Sequence, residues 1–168
     1  MTTNDTPRWS LPLLAAGQAQ KEMTHNEALS LLDLVVHPCV QAVGANVPPG
    51  DPLPGQAWII GDQPEGDWTG RAAMLAGWTD GGSRFLLPRI GLSVWSRSDD
   101  CRCDWDGNQW RLGRVAPRFL MIEGKKVVGA QRPGITPPAG GQVVDSEARL
   151  ALNAIIAAMR DHGLVAPG

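Results

Sequence analysis

The sequence predicts an α+β protein in three parts: an N-terminal helical anchor over residues 1–47, a small antiparallel β body over 48–130, and a linker with a C-terminal helix over 131–168. Three observations predict it. Leu11 to Pro38 holds the densest set of consistent signals, a helix start at Thr24 to Glu27, an apolar helical stretch behind it and a stop at His37-Pro38. The middle of the chain is cut into short runs by many of the 20 Gly and 14 Pro, and seven Trp stand against two Phe and no Tyr, a pattern of short strands and tight turns. Past residue 141 the composition turns alanine-rich and helical spacing returns.

In the anchor, Thr24-His25-Asn26-Glu27 reads as a capping box: the Thr24 hydroxyl accepts from the Glu27 amide and the Glu27 carboxylate returns to the Thr24 amide. A helix of about residues 25–37 follows. Ala28, Leu29, Leu31, Leu32, Leu34, Val35 and Val36 spread apolar surface over more than half its circumference, which calls for partners on two sides. Pro38 stops it, because a proline ring disfavours helical geometry at the residue before it, His37. Residues 1–10 are polar and expected to be mobile. Trp9 is the exception, expected to dock on its own domain or on a neighbouring subunit. Gln18 and Gln20 are expected to satisfy nearby backbone groups. Trp9, Leu29, Leu32 and Val36 form the predicted docking surface.

Val47 to Gly55, with prolines at 48, 49, 52 and 54, is a stiff connector. Strands are predicted near 56–61, 72–78, 83–87, 92–97, 101–105, 109–112, 118–122 and 125–128. Asp80-Gly81-Gly82 and Asp106-Gly107-Asn108 are the strongest hairpin signals, and Glu123-Gly124 is a third. Trp58, Trp68 and Trp78 recur at ten-residue steps, as successive strand-and-turn units do without any duplication. Trp105 and Trp110 flank a four-residue turn and are expected to face each other across it.

Ala130 to Gln142 is a second Pro/Gly connector. Asp145 or Ser146 can cap a helix of about 146–162, and Gly163 can end it. Ala148, Leu152, Ile155 and Met159 alternate steps of four and three, the spacing of a coiled-coil seam. Fewer than three heptads are marginal for a free dimer, so this seam closes a trimer or packs on its own domain.

The run Leu11 to Asp33, with Gly17-Gln18-Ala19-Gln20-Lys21-Glu22 and Thr24-His25-Asn26-Glu27-Ala28-Leu29 as its most specific part, resembles the domain family DUF2793, as do Gly77 to Gly91 and Val143 to Pro167. The resemblance spans nearly the whole chain. It implies a virion context, among the tail-fibre and spike proteins of prophages and gene transfer agents, and favours the trimer. It supplies no catalytic residues.

A formal charge of −2 and a pI near 5.9 offer no general attraction to nucleic acid or anionic membrane. The opening MTTNDTPRWS lacks the regions of a signal peptide, and no stretch approaches the roughly 18 apolar residues of a membrane span. The expectation is therefore assembly in the bacterial cytoplasm, without nucleic acid or membrane insertion. Cys39, Cys101 and Cys103 are expected to be free thiols, because Cys101 and Cys103 lie too close on one strand face for an unstrained bridge.

No phosphate loop, nucleophile elbow or His-Glu-x-x-His motif is present, and His25, His37 and His162 show no metal-ligand spacing with the cysteines. Asp104-x-Asp106-x-Asn108 starts like a calcium loop and then departs from one: Gln109 stands in place of the turn glycine and Val115 in place of the bidentate glutamate. No cofactor or metal is expected. Indole faces stack on sugar rings while polar neighbours bond the hydroxyls, which makes Trp68, Trp78, Trp105 and Trp110, beside Asp80, Arg84, Asp106 and Asn108, candidates for glycan binding. The competing expectation is that these indoles form the core of a domain short of Phe and Tyr. The sequence thus predicts a noncatalytic trimeric fibre, spike or adaptor that contacts other virion proteins. A module for host surface polysaccharide is the alternative, and a glycan hydrolase, which would need two carboxylates at a set separation, is remote.

Overall fold

Each of the eight runs predicted between residues 56 and 128 forms a strand in a computed structural model that describes residues 4–17, 21–141 and 145–167. The chain divides into two compact units, Met1–Arg114 and Val115–Gly168.

The first unit starts with helix α1 (Lys21–Val35). It continues through β1 (Cys39–Val40), β2 (Val43–Ala45), β3 (Ala57–Ile60), a 3-10 turn (Gly66–Trp68), β4 (Leu75–Thr79), β5 (Gly82–Leu86), β6 (Ser93–Ser96), β7 (Cys101–Trp105) and β8 (Trp110–Leu112). Two four-stranded sheets result, in the orders β2-β3-β4-β5 and β1-β6-β7-β8. The hairpins pair antiparallel as predicted, but β1 runs parallel to β6 and β2 parallel to β3. The sheets are therefore mixed. Residues 39–45 carry no hairpin signal, and their parallel partners lie 15 or more residues away, where local pattern is silent.

Side chains alternate between the faces of each strand. Ala57 and Ile59 of β3 and Leu75 of β4 turn inward to meet Val40, Val94 and Cys103 from the other sheet, and Leu34 of α1 closes this core. Leu34 lies where a Cβ on Gly77 would sit 2.6 Å from its Cδ1, so the close approach of helix to strand depends on that glycine. The opposite face carries a smaller cluster of Ile60, Trp68 and Ala76, flanked by Trp58, Met74 and Phe85. Arg71 lies 3.8 Å over the Phe85 ring.

Two expectations for α1 need correction. The helix begins at Lys21, so Thr24 and Glu27 lie inside it and form no capping box. Lys21, Glu22 and Met23 are good helix formers that extend the helix toward the N-terminus. Gln18 and Gln20 lie outside the described residues. His37 adopts a left-handed conformation, φ +43°, in place of the extended one that a following proline favours.

The second unit holds β9 (Leu120–Ile122) and β10 (Lys125–Val128), an antiparallel ribbon, and helix α2 (Ser146–Asp161). Asp145 caps α2 by accepting from the Ala148 amide at 2.9 Å, and Gly163, at φ +68°, follows its end. Arg160 Nη2 donates to the Ile135 carbonyl at 2.8 Å, Arg149 donates to that of Gly140, and Arg132 bridges to Val165, which straps the linker to the helix and the tail beyond it.

Candidate functional site

Asp33 interrupts the apolar face of α1 and is 3% exposed. Its carboxylate accepts from the Thr6 hydroxyl at 2.7 Å and from the amides of Arg8 and Trp9 at 3.1 and 2.7 Å. The Arg8 guanidinium donates to the carbonyls of Asp33, Leu34, Val36 and His37, which include groups that the end of the helix leaves unpartnered. Its charge also suits the negative end of the helix dipole. The expected mobility of the tail is corrected accordingly: described residues 4–13 form a strap, with Asp5 bridged to Pro12 and the Leu13 amide donating to Asn4. Asp33 reads in sequence as a polar break, and only its buried position reveals its role.

Trp9 docks on its own helix, donating Nε1 to the Val36 carbonyl at 3.0 Å and lying 6.1 Å from the His37 ring. Half of it remains exposed, as do Leu32 and Val36, while Leu29 is partly covered.

The eight glycan-binding candidates fall in three places. Trp78 lines a groove of about 460 Å³ on the outer face of the β2-β3-β4-β5 sheet. Register sets Trp58 opposite Ala76, whose small side chain leaves a trough beside the indoles of Trp58 and Trp78. The Pro48–Pro52 connector and the 3-10 turn form its walls, with Asp51 and Asp67 among its lining residues. Trp68 is buried at 2% exposure and packs 6.3 Å from Trp58, so its ring serves the core beneath the groove.

Trp105, Trp110, Asp106 and Asn108 cluster at the β7–β8 hairpin, where the two indoles meet edge to face at 5.5 Å. Trp110 Nε1 donates to the Ala73 carbonyl at 2.9 Å. Asn108 and Trp110 line a second groove of about 460 Å³ with Asn46, Asp62, Gln63 and Gln109. Asp80 and Arg84 lie apart at the β4–β5 hairpin, where Arg84 bonds Glu27 of α1 at 2.8 Å. The sequence reading missed Trp58, Asp51 and Asp67 in the first groove and Asn46, Gln63 and Gln109 in the second. The ten-residue Trp spacing was the one signal for Trp58.

The acids of the β7–β8 region serve the turn. Asp106 accepts from the amides of Gln109 and Asn108 at 2.9 Å each and from Arg111 Nε at 2.7 Å. These bonds, the Gln109 amide first, bring its pKa down to about 2. Asp104 pairs with Arg102 at 2.7 Å. Among the described residues no three His, Cys, Asp or Glu side chains are grouped to hold a metal. Cys39, Cys101 and Cys103 are free thiols, and burial pushes Cys103 up to about 11.

In the second unit, Leu152 and Ile155 of the predicted seam are 48% and 56% exposed, Ala148 is exposed and Met159 is partly covered. Leu150, Phe119, Leu120, Met121, Ile122 and Val127 are also exposed, and among the described residues of this unit Ile156 and Val165 are the buried apolar ones. No helix among the described residues is long and apolar enough to cross a membrane.

Residues 25–111, just over half the chain, match the family described as "Protein of unknown function (DUF2793)", and the chain belongs to that family. No curated protein matches it.

Proposed function

We propose, with that membership as premise, that the protein is a noncatalytic structural subunit of a phage-like particle: a trimeric fibre, spike or adaptor at the particle surface, assembled in the bacterial cytoplasm beside other virion proteins and contributing to host attachment. The observation that carries this reading is the exposed apolar surface of the second unit. A unit of some 54 residues with two buried apolar side chains among its described residues falls short of the core that a free-standing domain of that size needs. Helix α2 is the element suited to cover the exposed surface, closing a threefold coiled coil through Ala148, Leu152, Ile155 and Met159.

Light scattering tests the reading. The full chain is expected at three times its chain mass, falling to one in a Leu152→Glu/Ile155→Glu variant and in a chain cut after Gly141. A monomer at every concentration sinks it.

The amide-rich second groove supports a second reading, recognition of host surface polysaccharide, since Asn46, Gln63, Asn108 and Gln109 offer paired donors and acceptors beside the Trp110 ring. An Asn108→Ala variant with unchanged mass and melting is expected to lose at least tenfold in retention on host polysaccharide. Unchanged retention removes this reading, and glycan turnover by the purified protein would replace both readings with the hydrolase.

A further inference from the structure

We infer that the Trp-lined groove of the first unit receives the basic β9–β10 ribbon of a second copy of the chain. The inference rests on the oligomeric reading only in needing a second copy within reach, and it concerns a surface separate from the α2 seam.

The two surfaces are complementary in charge and in apolar character. Residues 50–70, which supply half of the groove's lining, carry four carboxylates, of which Asp51 and Asp67 line it, and no Lys or Arg. None of the four, Asp51, Asp62, Glu65 and Asp67, takes part in an ion pair among the described residues. Residues 115–132 carry four cations, Arg118, Lys125, Lys126 and Arg132, against the single Glu123. All four cations are exposed. Between them lie Phe119, Leu120 and Ile122, each about half exposed, in a ribbon whose strands pair only with each other among the described residues. A lone two-stranded ribbon is marginal in water and gains stability from a third surface.

The groove offers what such a ribbon lacks. The indoles of Trp58 and Trp78 provide apolar area and π faces that attract a Lys or Arg head group, and Asp51 and Asp67 provide the opposite charge. Sugar and ribbon would compete for this groove, but its carboxylates and the absence of Lys or Arg favour a cation over a neutral glycan.

Zero-length carbodiimide coupling tests this directly, because it joins a Lys amine to an Asp carboxylate only when the two touch. Equal amounts of ordinary and 15N-labelled full-length protein are unfolded in urea, mixed, refolded together, coupled and mapped by mass spectrometry. Mixed-isotope links from Lys125 or Lys126 to Asp51 or Asp67 are expected. They should fall severalfold at about 1 M salt, where charges are screened beyond ~3 Å, and vanish in Lys125→Glu/Lys126→Glu and in Asp51→Asn/Asp67→Asn. Because all four side chains are exposed or lie at the groove, these variants keep the fold, which an unchanged melting curve verifies. Absence of mixed-isotope links in a protein of threefold mass overturns the inference and leaves the trimer standing. Their presence in the Leu152→Glu/Ile155→Glu variant supports the inference even if the helical seam fails.

Discussion

Val40, Leu75 and Cys103 of the first unit are completely buried, whereas Leu152 and Ile155 of the second leave about half their surface in water. Both units draw on apolar residues of similar kind, so composition does not separate them. The first unit closes its core with contacts made across long stretches of chain: Leu34 meets Gly77, and Cys103 meets strands of the other sheet. The second unit is made of local elements, a hairpin and a helix, whose apolar faces find few partners within their own unit. Local elements that leave so much apolar area uncovered are the basis of the assembly proposed above, and elements that close over one another make a self-contained core.

Substitutions can break this contrast, and the largest effect is expected at the strap. Asp33→Ala removes a buried acceptor from one hydroxyl and two amides and should lower unfolding free energy by about 3–4 kcal/mol. It should also expose Arg8 to trypsin. A loss under about 1 kcal/mol in urea unfolding would mean that the strap only decorates the helix.

Next comes the helix–sheet contact. Leu34→Ala should cost about 3 kcal/mol and Gly77→Ala about 2, since the new methyl meets Leu34 at 2.6 Å. Combined, they should cost clearly less than their sum, because the smaller side chain makes room for the methyl. Additive costs would refute the close approach.

Leu152→Ala sharpens the comparison from the other side. At concentrations where chains are separate, an exposed position should change stability by no more than about 0.5 kcal/mol. In the proposed trimer the same change should cost about 2 kcal/mol, as a buried leucine does. A melting series over protein concentration separates the two, and a cost independent of concentration would return α2 to its own chain.

The smallest effect is expected at Asp106. Its folded pKa, about 2, lies below the ordinary 3.8, so its bonds stabilise the fold above that ordinary value and cease to do so as pH falls toward 2. The melting-temperature gap between the native protein and Asp106→Asn should hold at pH 5–7 and close between about pH 4 and 2. A gap that persists at pH 2 would show that the Asn side chain, and not the lost charge, causes it.

Much of the β body was legible because its strands are hairpins joined by Asp-Gly and Gly-Gly turns, where pairing is a neighbourly matter. The Trp105–Trp110 pair and the Asp145 and Gly163 boundaries of α2 follow from the same locality. The grooves were less legible. Trp68 and Trp78 belong to one surface, but which of the two is buried depends on how the 3-10 turn folds back over the sheet. Asp51 and Asp67 come together from opposite sides of β3, and no spacing rule joins them.

The sequence by itself determined where the strands after residue 56, their turns and the C-terminal helix lie, because alternation, turn chemistry and capping act over a few residues. Tertiary structure alone decided that Asp33 is a buried hub, that residues 39–45 pair in parallel with two sheets, and which indoles face outward. Those outcomes depend on which distant segments exclude water from one another, and that exclusion is a property of the closed chain and of no window within it.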